Sequence, residues 1–204
     1  GIADDIMKVR KAVLEQALIA ILLITPIIVL FLMFAKFIIV LLYSSDFTSI
    51  VDMVSWGILG MVFKAVSFSM GYIIIAKGDS KLFIKTAVAF NSILLIGNVI
   101  GYYYGGLEGL GISFFLYYIF HFVSLRIIVK HRYGFYFEKG FYGVFTFCVA
   151  LCVTAFLLTF IDNDWLKYGV LSGVTVLSFV FSYFQLDKKM DVKGLINKIF
   201  RRKK

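Results

Sequence analysis

Six polar side chains stand out because they fall inside long apolar stretches: Lys36, Lys64, Asn91, Asn98, His121 and Arg126. Lys64 is the most demanding, sitting in Trp56-Gly57-Ile58-Leu59-Gly60-Met61-Val62-Phe63-Lys64-Ala65-Val66-Ser67-Phe68-Ser69. An amine there costs a few kcal/mol in hydrocarbon unless it pairs or faces water, about 3 kcal/mol on insertion scales. It is read as a cavity lysine for an anionic group, against the alternative of a structural pair with helix carbonyls. Lys36 lies nearer the outer end of its span, where its stem can snorkel to the interface, the alternative being a role at the outer mouth of a cavity. His121 could carry a proton near neutral pH, or be a neutral histidine bonded to a neighbouring helix. Asn91 and Asn98 are two helical turns apart and so share a face, with Ser92 and Gly97 beside them. Such a seam either glues helices or lines a cavity. Arg126 anchors a span end or extends the same polar set.

Soluble catalytic motifs are missing: the sequence has no phosphate-binding Gly-rich loop ending in Lys-Ser/Thr, no His-Glu-x-x-His and no Gly-x-Ser-x-Gly. An enzyme is therefore not expected, nor a cofactor. Cys148 and Cys152 are one helical turn apart without His or Cys neighbours, so they are read as small packing residues and not as metal ligands.

The elements that must position these residues are membrane helices. Of 204 residues, 61% are hydrophobic and 16% charged, and the apolar residues come in long blocks that do not alternate. About 20 helical residues cross roughly 30 Å of hydrocarbon, whereas a membrane β-barrel would show short alternating segments. The expected fold is all-α, a polytopic bundle of six spans over 16–186: 16–43 with Pro26 inside, 51–76, 82–103, 110–129, 140–161 and 165–186. Residues 1–15 suit a cytoplasmic amphipathic helix on the membrane surface, and 187–204 a basic cytoplasmic tail on an anionic leaflet. The chain opens on Gly1 with no initiator Met, which suggests either a sequence trimmed for expression or a truncated gene.

The net charge of +9 is distributed as membrane topology requires. Lys and Arg cluster before the first span, around 77–85, around 126–139 and in the tail, while the intervening turns carry acids and one lysine, Lys167. The positive-inside rule then puts both termini in the cytoplasm. A nucleic-acid partner is not expected, because basic tails of this kind belong to the bilayer.

From Leu41 the sequence acquires a recognisable run. Leu41-Leu42-Tyr43-Ser44-Ser45-Asp46-Phe47 precedes Trp56-Gly57-Ile58-Leu59-Gly60, Lys64, Gly71-Tyr72 and Ala76-Lys77-Gly78, followed by Gly105–Gly111 and Tyr117-Tyr118. Over about Lys8 to Arg132 this order resembles the Wzx-type O-antigen and lipid III flippases, the polysaccharide exporters of the multidrug/oligosaccharidyl-lipid/polysaccharide superfamily. The resemblance implies a two-lobed helical transporter in the bacterial inner membrane, moving undecaprenyl-pyrophosphate-linked oligosaccharide for O-antigen or lipopolysaccharide synthesis. It matches Lys64 to the family's lysine, facing a central cavity. It also implies that this chain is the C-terminal part, with an N-terminal lobe of the parent protein as partner. The competing readings are an integral-membrane polymerase or acyltransferase of the same pathway, and a non-transporting scaffold.

Overall fold

The structure is a computed structural model describing residues 2–190, with side chains described for 8–189. Gly1 and the expected tail residues 191–204 lie outside it. Every regular element described is helical: α1 (Ile2–Leu42), a 3-10 turn (Ser45–Ile50), α2 (Val51–Ala76), α3 (Ser80–Tyr133), α4 (Lys139–Leu158) and α5 (Asp164–Met190). Five helices are long and apolar enough to cross a membrane. Their outer surface is apolar to match: Phe37, Val88, Leu95, Val99, Tyr103 and Trp165 are each more than half exposed. Water tolerates little contiguous surface of that kind, whereas hydrocarbon does.

α1 packs against α2, α4 and α5. Val13, Ala17, Ile21, Ile28, Leu32 and Ala35 recur at helical spacing and are each under 5% exposed. Pro26 lies within this helix and offers no N–H to the preceding turn. The neighbouring Thr25 hydroxyl donates to Ile21 O at 2.7 Å. Residues 2–15, expected as a separate surface segment, are the first turns of α1 itself. Arg10 from those turns lies 4.1 Å from the ring centroid of Tyr136, fastening α1 to the segment before α4.

α3 runs for 54 residues, but Gly106 interrupts it with φ 58° and ψ −139°. A side chain would strain that conformation. Residues on the two sides then pair back on one another. Asn98 meets Ser113, Phe90 meets His121, and Asp79 meets Arg132, each pair roughly equidistant from Gly106. Gly101 and Gly109 make the tightest approach. A Cβ on Gly101 would lie 2.5 Å from Gly109 O, and one on Gly109 would collide with Gly101 O. Where one continuous helix would reach about 80 Å, the chain instead doubles back as a helical hairpin with arms 80–105 and 107–133.

The second arm packs on α2 through two more glycines. A Cβ on Gly111 would be 2.6 Å from Met53 O, and one on Gly60 2.7 Å from the Tyr118 ring. Beneath them runs an aromatic column in which Phe137, Phe141 and Phe145 stack in turn and Phe122 stacks on Phe145 at 5.1 Å. Phe63 of α2 meets both Phe122 and Phe145.

The arms and helices alternate in direction, so the basic clusters 8–11, 77–85, 126–139 and 188–189 share one end. Asp79 is the clasp of that end. Its Oδ1 accepts from Leu82 N at 3.2 Å and so caps α3. Its Oδ2 accepts from Arg132 Nε and Nη2 and from Tyr133 Oη, at 3.2–3.3 Å. The Leu82 N–H first, then the Tyr133 hydroxyl and Arg132 guanidinium, hold the Asp79 carboxyl below its ordinary 3.8, with desolvation opposing them. A depressed folded-state pKa gives stability that is present above 3.8 and lost as pH falls through the folded value. Unfolding in detergent should therefore show a gap between wild type and Asp79→Asn that is constant at neutral pH and closes on acidification below 3.8. A gap that persists in acid would show that the charge of Asp79 does not hold the clasp.

Candidate functional site

Lys64 lies midway along the 26-residue α2. At the helical rise that is roughly 20 Å from either helix end. Its opposite face is core, with Val62, Val66 and Met70 fully buried. Its own face is open: Lys64, Phe68, Tyr72 and Ile75 are exposed, and a Cβ on Gly57 or Gly71 would meet nothing within 4 Å. The lysine expected in the membrane interior is thus on the surface of this chain, at the edge where α2 meets the second arm of α3.

Gly60 sets up a close partner for it. Because Gly60 has no side chain, the Tyr118 ring lies directly on its backbone, and one turn later Lys64 Nζ reaches Tyr118 Oη at 3.3 Å. The same Nζ is 5.1 Å from the ring centroid, so the contact is with the hydroxyl more than the ring face. Among the described residues no carboxylate lies within 4.0 Å of it. An ammonium has three donors, and one phenol oxygen leaves two for water or a ligand. A groove of about 240 Å³ lined by Gly57, Met61, Phe114 and Tyr118 opens beside it.

The ring contacts continue inward from Tyr118. Tyr117 is 5.4 Å from Tyr118 and 5.7 Å from His121, and His121 packs edge-on against Phe90 at 4.5 Å. His121 Nδ1 is buried with no hydrogen-bond partner among the described residues. Lys64 and His121 therefore belong to one cluster, joined by two tyrosines whose part in it the sequence did not reveal. The other four candidates stand apart. Asn98 accepts from Ser113 Oγ at 2.9 Å inside the α3 hairpin, a helix-gluing bond. Asn91, exposed on the same arm, donates to its own helix at Ala87 O, so the expected Asn91–Asn98 seam is divided between two environments. Arg126 lies 4.9 Å from the Tyr142 ring and ties the second arm to α4 by a cation–π contact. Lys36 is at the far end of α1, beside Asp52 and Lys167.

Cys148 and Cys152 are fully buried side by side on α4, within reach of the Thr25 hydroxyl. Among the described residues no three His, Cys, Asp or Glu side chains gather as a metal site. The Lys64 cluster presents a cation and a phenol to an anion. The chain matches no protein-family model, no curated protein and no solved structure.

The open face can be probed directly. Lys64→Cys should react with a membrane-impermeant maleimide in the full protein, while buried Cys148 and Cys152 stay unmodified. A thiol at 64 that resists the reagent would place this face against lipid or another helix.

Proposed function

We propose that this chain is one lobe of a membrane transporter that flips undecaprenyl-pyrophosphate-linked oligosaccharide across a bacterial inner membrane, for O-antigen or related surface polysaccharide. The observation that carries the reading is Lys64: a cation at the middle of a membrane-length helix, on an open face, with donors to spare. A pyrophosphate needs such a group at mid-membrane, since charge-assisted bonds replace the water it leaves. The resemblance of Trp56-Gly57, Lys64, Gly71-Tyr72 and Tyr117-Tyr118 to the flippases supports the substrate class.

In this reading the two arms of α3 each cross the bilayer, making six spans with α1, α2, α4 and α5. The reversal at Gly106 and the meeting of Asp79 with Arg132 support that count. The basic end faces the cytoplasm with both termini. A second lobe, the N-terminal part of the parent protein, closes the cavity over Lys64, and transport proceeds by alternating access. Transport makes no covalent change, which agrees with a cluster built to bind.

Two measurements test the reading. Reporter fusions should place Glu108 outside and the C-terminus inside; a cytoplasmic Glu108 would remove the six-span topology. Lys64→Ala in the complete protein should insert normally yet lower export of lipid-linked glycan at least about tenfold, the effect of losing one charge-assisted bond to the moving group. Undiminished export would exclude Lys64 from transport.

A further inference from the structure

At the end opposite the basic clusters, the described residues include only two cations, Lys36 of α1 and Lys167 of α5, and both line one cavity of about 160 Å³. Asp52 and Ser55 of α2, Thr159 after α4 and Tyr168 of α5 complete its polar wall. Four separate elements thus converge on one small polar space, with apolar Leu32, Met33 and Leu171 below. Two lysines at the end otherwise cleared of positive charge call for a reason beyond solubility.

The donors and acceptors are sorted. Lys167 Nζ is held by Asp164 at 2.8 Å, and among the described residues Lys36 has no carboxylate within 4.0 Å, so the ammonium groups leave donors open. The Ser55 and Thr159 hydroxyls cannot add to these donors, because Ser55 donates to Val51 O and Thr159 to Phe156 O. Their oxygens, like the Asp52 carboxylate, remain as acceptors. The cavity therefore offers cations to a phosphate and acceptors to an ammonium. Lys36 precedes Leu42, the last residue of α1, by six positions. That places it about 9 Å in, at the depth of the bilayer's polar boundary.

We propose that this cavity holds the headgroup of a phospholipid from the leaflet at that end, with the phosphate between Lys36 and Lys167 and a primary amine at Asp52. The apolar lower wall takes the start of its acyl chains. The site is separate from Lys64 and stands whether or not the chain transports glycans.

Native mass spectrometry of the full chain in detergent, with added lipid, tests this. Wild type should retain phosphatidylethanolamine more tightly than phosphatidylcholine, and retain diacylglycerol, which lacks phosphate, least. Lys36→Gln with Lys167→Gln should weaken phosphatidylethanolamine retention at least about tenfold. Lys36→Arg should keep it, as should Lys85→Gln at the basic end. Asp52→Asn should abolish the preference for the ethanolamine head while sparing phosphate-dependent retention. Thermal unfolding of each variant identifies any that fails to fold, and Lys36→Arg with Asp52→Asn then carries the test. Retention by the double glutamine variant equal to wild type overturns the site. Displacement of the lipid by millimolar inorganic phosphate or phosphoethanolamine alone reassigns it to a free ion and overturns the lipid headgroup.

Discussion

In hydrocarbon a backbone N–H or C=O has no water to turn to, so every residue of a crossing segment must close its hydrogen bonds within the chain. Helices long and apolar enough to cross satisfy that requirement one by one, and nothing in it tells them how to associate. Lipid tails are as apolar as leucine, which removes the usual drive to bury side chains against each other. Association then depends on close van der Waals approach. Here the glycines supply it: Gly60 and Gly111 bring the second arm of α3 onto α2, and Gly101 with Gly109 brings the two arms together. The Lys64 cluster follows from the same contacts, since the Tyr118 ring that meets Lys64 lies against the bare backbone of Gly60.

The charge-bearing ends are the second organising element. Asp79 gathers a helix cap, a guanidinium and a phenol at one point, and so fixes where α2 hands over to α3 and where α3 must return. With Gly106 at the opposite end, the hairpin is pinned at both extremities. Between them Asn98 and Ser113 add one neutral bond. An unpaired polar group in that position would be costly, and sharing a bond across the arms removes the cost of both.

Much of this was legible in sequence because its signals are local. The limits of α2 follow from the apolar block between Asp52 and Lys77, and the common basic end from the alternation of charged turns. Residues 2–15 were harder: their mixed pattern suits a surface helix equally well, and it is the unbroken helix, the burial of Val13 and the contact of Arg10 with Tyr136 that mark them as the start of α1. Asn91 and Asn98 show the limit of periodicity. Spacing correctly puts two residues on one face but cannot say that a partner covers only one end of it. Tyr118 was invisible as the partner of Lys64 because 54 residues separate them, and the link is a missing Cβ at Gly60.

Lys36 and Lys64 differ in what their surroundings return to them. Lys36, about 9 Å from its helix end, can extend its amine to the polar boundary at little cost. Lys64, roughly 20 Å from either end, cannot reach that far. Placing it among lipid tails costs about 3 kcal/mol on insertion scales and more for an isolated helix. A hydrogen bond involving a charged group contributes about 1.5–3 kcal/mol at good geometry, and the bond to Tyr118 is long at 3.3 Å. The phenol therefore offsets part of the penalty while leaving two ammonium donors unmet. That deficit disappears when the open face of α2 borders water or an anion instead of lipid. The energetics of one side chain are thus the ground for the proposal that this face is one wall of a polar space.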